Sequence, residues 1–342
     1  MTTAGAFWHR SIDLAMSMRT RITELLGVRY PVVQSGMRWV SRAELAAAVS
    51  NAGGLGVLSA HTQPDAQALR REIERTRALT TLPFGVNLTL LAANSGIDVD
   101  GYVRVVTEER IPVVETAGGS PAKYLDALKT AGVKVLHKAT SVRHALKAQS
   151  LGVDAVIIDG YECAGHPGQD DVPGLVLIPA AAQALSIPLL AAGGIADARG
   201  MVAALALGAD GVCMGTRFLL TRESPLHDAI KARMLAARET DTTLVGRRFG
   251  DSIRVMRNAK VDEALALEAA GTTTHHDLLP LIGAARWMQA MESGAADDAA
   301  FPLGQCVGLI DDLPSCAALL ERIVGDARTL IGERLAAMVA AA

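Results

Sequence analysis

The sequence predicts an α/β protein: a closed (β/α)8 barrel carrying a small helical insertion over one end. Three observations predict it. From Tyr30 to Gly215, short β-rich runs alternate with Ala/Leu/Glu-rich stretches of helical length, the rhythm of a parallel sheet. The runs are largely continuous in apolar residues, as strands covered on both faces are. No Gly-x-Gly-x-x-Gly segment follows the first run, and an open doubly wound sheet, the alternative architecture, would be favoured by one.

The strands expected are Pro31–Gln34, Gly56–Ser59, Phe84–Asn87, Val113–Glu115, Val135–Lys138, Ala155–Ile158, Leu189–Ala192 and Gly211–Met214. Several end on polar residues, among them Gln34, Asn87, Glu115 and Lys138, which a βα architecture places at the carboxyl rim where ligands bind. The helices between them have readable starts. Ser41-x-x-Glu44 has the form of a capping box, Ser120-Pro121 places a cap before a first-turn proline, and Asp197 can cap the helix that carries Met201. Gly132, Gly152 and Gly208 each stand three residues before a strand, as helix stops.

After Gly215 the rhythm ceases. Residues from Pro225 to Trp287 are helical in composition, carry Arg247, Arg248, Arg254 and Arg257, and are broken at Gly271-Thr272-Thr273-Thr274. They are expected to form a lid over the rim. Residues 1–224 and 288–342 then make the barrel, and 225–287 the lid. The tail from Asp311, with Leu319, Leu320, Ile323 and Leu330 partly at helical spacing, can close the barrel as its last outer helix.

Composition narrows the function classes. The chain has 342 residues, 20% of them charged, with a formal net charge of -3. That excludes a disordered tail protein and offers no basic stripe for nucleic acid. Cys163, Cys213, Cys306 and Cys316 show neither a CxxC pair nor finger spacing, which fits a reduced cytoplasmic protein. Met1-Thr2-Thr3 followed by Arg10, Asp13, Arg19 and Arg21 has no long apolar run, so neither a signal peptide nor membrane insertion is expected. His275-His276 lack an acidic partner at metal spacing and no HExxH occurs, so no metal is expected.

Two glycine-bearing loops carry the first chemical signal. Gly193-Gly194-Ile195-Ala196-Asp197 follows the seventh strand, and Met214-Gly215-Thr216-Arg217 ends and follows the eighth. Barrels bind phosphate above these two strands, where exposed amides supply donors without formal charge. The same loops also have a plain reading as tight βα turns. Other rim residues suit a flavin ring. Gln34 and Asn87 offer amides, Gly36 allows close approach, Met37 offers an apolar face, and Lys138 offers a cation where reduced flavin gathers negative charge. The loop after the sixth strand, Asp159-Gly160-Tyr161-Glu162-Cys163-Ala164-Gly165-His166-Pro167-Gly168, is crowded with reactive types. His166 can exchange a proton near neutral pH. Trp39, Tyr161 and Met256 are candidate walls of a substrate pocket.

The segments PVVQSGMRWV (31–40), NAGGLGVLSA (51–60), PFGVNLTL (83–90), IDGYECAGHPGQDDVPGL (158–175), AAGGIAD (191–197) and ADGVCMGTRF (209–218) resemble the nitronate monooxygenase family, long called 2-nitropropane dioxygenases. They are especially similar to its bacterial branch that includes FMN-dependent NADH:quinone reductases. The resemblance implies a TIM barrel with non-covalent FMN. It assigns Gln34, Gly36, Met37, Asn87, Lys138 and Asp159 to the flavin, and Gly193, Gly194, Met214, Gly215 and Thr216 to its phosphate region. His166 matches the family's catalytic histidine; Lys138, at its strand end, is expected to act with it in catalysis by stabilising reduced flavin electrostatically. The activity implied is oxidation of an alkyl nitronate by O2 to a carbonyl compound and nitrite. The alternative is ping-pong hydride transfer from NADH or NADPH through FMN to a quinone, which the QSGMRWV form of the first-strand motif favours. A reducing role on an acyl-CoA or enone substrate is a further alternative. A monomer or homodimer is expected.

Overall fold

The computed structural model describes residues 18–90, 96–272 and 274–339. The N-terminal reading at Met1 to Asp13 and the break residue Thr273 lie outside these. Each apolar run forms a strand: β1 Val32–Gln34, β2 Gly56–Ser59, β3 Phe84–Thr89, β4 Val113–Ala117, β5 Lys134–Ala139, β6 Ala155–Asp159, β7 Leu189–Ala192 and β8 Gly211–Met214. They form one parallel sheet in the order β1-β8-β7-β6-β5-β4-β3-β2. A parallel bridge between Val33 and Leu55 brings β1 back toward β2 and nearly closes the barrel.

A helix the sequence reading did not anticipate, α1 Arg21–Leu26, precedes the barrel. Its Ile22 and Leu26 pack among Val33, Leu55, Val57, Val113, Leu136, Ile157 and Leu190, so it plugs one end of the interior. Burying each such side chain contributes about 1.5–3 kcal/mol. Arg21 fixes the plug through Asp210, with bonds of 2.8 and 2.7 Å. The crossovers are α2 Ala43–Asn51, α3 Ala66–Leu79, α4 Val99–Glu108, α5 Ala122–Thr130, α6 Val142–Leu151, α7 Gly174–Ala184 and α8 Ala198–Ala206. A short helix, α9 Thr216–Leu219, follows β8.

The expected caps fare differently. Asp197 caps α8 by accepting from Gly200 N–H at 3.1 Å. Gly132, Gly152 and Gly208 all take positive φ, as helix stops do. The Ser41 capping box does not form. The residue before α2 is Arg42, which makes no side-chain cap; Glu72 of α3 instead accepts from Ala43 N–H at 2.8 Å. Glu44 turns outward to Arg75, and Ser41 is drawn inward by Gln34 and Met37. The start of α5 moves by one residue: Pro121 stands at the cap, and Ser120 Oγ accepts from Ala122 N–H at 3.4 Å.

The segment after α9 is mixed rather than purely helical. It runs through α10 Asp228–Leu235, an antiparallel hairpin of β9 Thr242–Val245 and β10 Ile253–Met256, then α11 Ala259–Ala270, α12 His275–Ile282 and α13 Ala284–Ser293. β10 also pairs with the loop after β6 through an antiparallel bridge of Arg254 to Gly165. The chain then returns to the barrel. Helix α14 Cys316–Thr329 buries Leu319, Leu320, Ile323 and Val324 and packs against α8 and α2, closing the ring as expected. Among the described residues no helix is long and apolar enough to cross a membrane, and all four cysteines are free and buried.

Candidate active site

Strand geometry decides which side chains meet inside the barrel. Alternate residues share a face. Val113 on β4, Leu136 on β5 and Ile157 on β6 belong to the interior cluster, so Glu115, Lys138 and Asp159, two residues on, project to the same inner side at the carboxyl end. All three line a cavity of about 950 Å³, together with Asn87, Ser35, Cys213 and the loops after β1, β6, β7 and β8. Ligand pockets span roughly 300–1,000 Å³, so there is room for a flavin and a second molecule.

The floor of the cavity is charged; Glu115 is fully enclosed there, and Lys138 is 18% exposed. Lys138 Nζ lies 3.6 Å from Glu115 Oε1 and donates to Ser35 Oγ. Asn87 Nδ2 donates to the same Glu115 oxygen at 2.8 Å, and Gly36 N–H approaches Oε2 at 3.5 Å. Burial disfavours the Lys138 ammonium, but Glu115 and Asp159 outweigh it and hold its pKa above the ordinary lysine value. Burial pushes both carboxyls up, and Lys138 opposes it in each case. Burial also raises the Cys213 and Cys163 thiols, which makes them packed groups rather than nucleophiles. His61, which the sequence reading did not single out, lines the wall after β2; burial first, and Arg38 second, lower its pKa to about 4.

The β7 and β8 loops have the form of an anion cradle. Gly193 and Gly194 take φ of 83° and 75°, a region that L side chains avoid. A Cβ on Gly193 would stand 2.9 Å from the Gly160 carbonyl oxygen, and one on Gly215 would meet only Met37 Sδ at 3.7 Å. Among the described residues the N–H groups of Gly194 and Thr216 have no backbone acceptor. The Thr216 hydroxyl accepts from Gly304 N–H at 2.9 Å, tying this rim to the returning chain. Free amides at one end of the cavity and the part-buried Lys138 ammonium at its floor fit a ring with a phosphate tail.

His166 stands at the mouth, its side chain 45% exposed. Its Nε2 lies 3.1 Å from Asp251 Oδ1, and His275 Nε2 lies 3.4 Å from the other oxygen of Asp251. The His166 imidazole beside Asp251 holds that carboxyl below the ordinary range. The insertion after α9 therefore supplies the residue that engages the candidate catalytic histidine. Val245, Ser252, Ile253, Val255, Ile282 and Trp287 of the same insertion also line the cavity.

Met37, Trp39 and Met214 line the same cavity. Trp39 is held at φ 70°, a strained setting for an aromatic residue, with its N–H on Thr62 Oγ1 at 2.9 Å. Three expected residues lie elsewhere. Gln34 is one residue out of phase with the interior positions Val33 and Ser35, so it faces the helix side. It is fully buried there, accepting from Val57 N–H at 3.1 Å and donating to Ser41 Oγ at 2.8 Å. Tyr161 turns to the outer side of the hairpin, where the Arg254 guanidinium stacks 4.4 Å from its ring. Met256 is fully buried in the apolar core. Among the described residues no group of three or more His, Cys, Asp or Glu can hold a metal ion.

Comparison with known proteins agrees with this geometry. The family model described as nitronate monooxygenase matches residues 19–102 and 90–326. A protein of Rhodococcus jostii strain RHA1, (3aS,4S,5R,7aS)-5-hydroxy-7a-methyl-1-oxo-octahydro-1H-indene-4-carboxyl-CoA dehydrogenase, is 36% identical over 91% of this chain and 96% of its own. Its namesake in Mycobacterium tuberculosis is 37% identical over 92% of this chain and 97% of its own. A probable nitronate monooxygenase of Staphylococcus aureus strain Newman is 32% identical over 72% of this chain and 80% of its own. The structure of FabK from Thermotoga maritima superposes with a TM-score of 0.87 at 35% identity, covering 94% of this chain and all of that one.

Fold, cavity and relatives define an FMN-dependent oxidoreductase built on a (β/α)8 barrel. Within that class the chain belongs to the nitronate monooxygenase family.

Proposed function

We propose that this chain is a flavin-dependent dehydrogenase or reductase that passes hydride between a nicotinamide nucleotide, NADH or NADPH, and an organic second substrate, an acyl-CoA thioester ahead of a quinone. The observation that carries this is the match over more than nine-tenths of the chain to two proteins named as carboxyl-CoA dehydrogenases. The proteins named as nitronate monooxygenases match less of it. The size of the cavity supports the same reading, since a nitronate needs little space beside the ring. Oxidation of a nitronate by O2 is the second reading, favoured by the family description itself.

FMN, when bound, supplies reversible two-electron chemistry. The chain supplies the rest. The amides of Gly194 and Thr216 would hold the phosphate, and Met37 would support the ring. Lys138 would stabilise the charge that reduction brings. His166, oriented by Asp251, would hold or deliver a proton at the oxygen of the second substrate. The lid residues Ile253, Ile282 and Trp287 would exclude water from the hydride path.

Anaerobic stopped-flow mixing of the purified yellow protein with NADH, NADPH and propyl nitronate tests the proposal. Fast bleaching by a nicotinamide nucleotide, followed by reoxidation with an acyl-CoA or quinone, is expected. Bleaching by propyl nitronate alone would reverse the order of the two readings. One FMN per chain should be released on denaturation; colourless protein that fails to take up added FMN would sink both. Lys138→Met is expected to lower the flavin midpoint potential by tens of millivolts, each 30 mV corresponding to about 1.4 kcal/mol. An unchanged potential in a folded variant would remove Lys138 from this role.

A further inference from the structure

Two carboxyls and one ammonium share the floor of the cavity. Glu115 on β4 is fully enclosed, and its Oε1 is held by Asn87 Nδ2 at 2.8 Å and faced by Lys138 Nζ at 3.6 Å. Among the described residues its Oε2 is engaged by Gly36 N–H alone, at 3.5 Å. Asp159 on β6 acts on the same ammonium from the other side. Among the described residues the ammonium also donates to Ser35 Oγ, and the thiols of Cys213 and Cys163 act on it as well. Cys163 is faced in turn by Arg254 and Glu162, and Cys213 by Ser35. One ammonium between two carboxylates leaves the floor with no net positive charge to offer.

We propose that Glu115 is a proton-holding residue, which takes up one proton at Oε2 each time the bound flavin is reduced and releases it on reoxidation. The inference rests on a flavin occupying this cavity, as argued above. A nicotinamide or other hydride donor delivers two electrons and one proton to the ring, adding one negative charge above a cluster that already has two acidic groups. Added charge beside an enclosed carboxylate is costly. A proton from solvent that forms an O–H bond at Glu115 Oε2 removes one carboxylate charge, and Lys138 is then left to compensate the ring. Reoxidation breaks that bond and returns the proton to solvent. The raised position of the Glu115 carboxyl, caused by burial and opposed by Lys138 and Asn87, suits a group that gains a proton readily. Lys138 and Glu115 thus act together, one fixing the charge and the other adjusting it.

The test uses the holoprotein and two readouts other than turnover. In a two-electron couple, each proton taken up shifts the midpoint potential by about 30 mV per pH unit. The expected slope across the neutral range is therefore about twice that of a one-proton reduction. The reduced-minus-oxidised infrared difference spectrum should gain a protonated-carboxyl C=O band that moves in deuterium oxide and on isotopic labelling of glutamate carboxyl carbon. Glu115→Gln should lose the band and halve the slope, and Asp159→Asn should keep the band. Isotopic labelling of the wild-type protein decides the assignment even where Glu115→Gln does not fold. A flavin-loaded protein with no carboxyl band, with a one-proton slope, or with a band that follows aspartate would overturn the proposal. A protein that binds no flavin would instead overturn the cofactor reading on which it stands.

Discussion

Replacing His166 with asparagine is expected to leave FMN bound and to slow reaction with the second substrate by roughly 10²–10⁴, the scale of a positioned proton-transfer group. The side chain is 45% exposed at the cavity mouth and pairs with Asp251 rather than with the floor cluster. Its Nε2 is engaged by Asp251 at 3.1 Å, which leaves Nδ1 to face a substrate oxygen. Asparagine keeps a polar group of similar reach but cannot accept and return a proton near neutral pH. Hydride transfer from a nicotinamide to flavin needs no general base, so that half-reaction should largely survive. Single-turnover kinetics of each half-reaction, in wild type and His166→Asn, separates the two effects. Equal rates with the second substrate would remove His166 from the chemistry. Equal losses in both half-reactions would mean that the change disturbs the flavin pocket instead.

The barrel was legible because its strands are short, apolar and evenly spaced, and burial on both faces leaves no other pattern for them. The inner floor was half legible. Asn87 and Lys138 could be given roles at a flavin, but their partner Glu115 was named only as a polar strand end at the rim. A signal was present: Val113-x-Glu115 and Leu136-x-Lys138 have the same phase, and period two sends both polar tips to one face. The same rule explains why Gln34, one residue away from that phase, faces the helices. Contacts between distant segments were not legible. Asp251 reaches His166 across 85 positions of sequence, and Glu72 of α3 caps α2 in place of Ser41. The hairpin was hidden by composition. Thr242–Val245 and Ile253–Met256 flank Gly246 and Gly250, but they are four-residue runs inside a segment whose composition as a whole is helical.

The close seating of α2 on the barrel makes Gly56→Ala the substitution with the largest expected effect on stability. Gly56 opens β2, where the strand passes directly under α2. A Cβ there would stand 1.8 Å from the Ala46 carbonyl oxygen and 2.5 Å from its carbon. Both are backbone atoms of a helix whose Leu45, Ala46 and Val49 are fully buried, so no side chain can rotate away. The helix must lift from the sheet, which loosens the contact of α2 with α14 that closes the barrel. Overpacking of this kind costs typically 1–3 kcal/mol, and more where the backbone must move; about 3 kcal/mol or more is expected here. Gly325 provides the opposite case within α14. It lies inside the helix, and a Cβ there would meet no atom within 4 Å. Gly325→Ala is therefore expected to stabilise the protein by about 0.5–1 kcal/mol, because alanine loses less backbone freedom on folding. Denaturant midpoints of the two variants against wild type measure both effects. A Gly56→Ala midpoint within error of wild type would show that α2 is not pressed onto β2 as described.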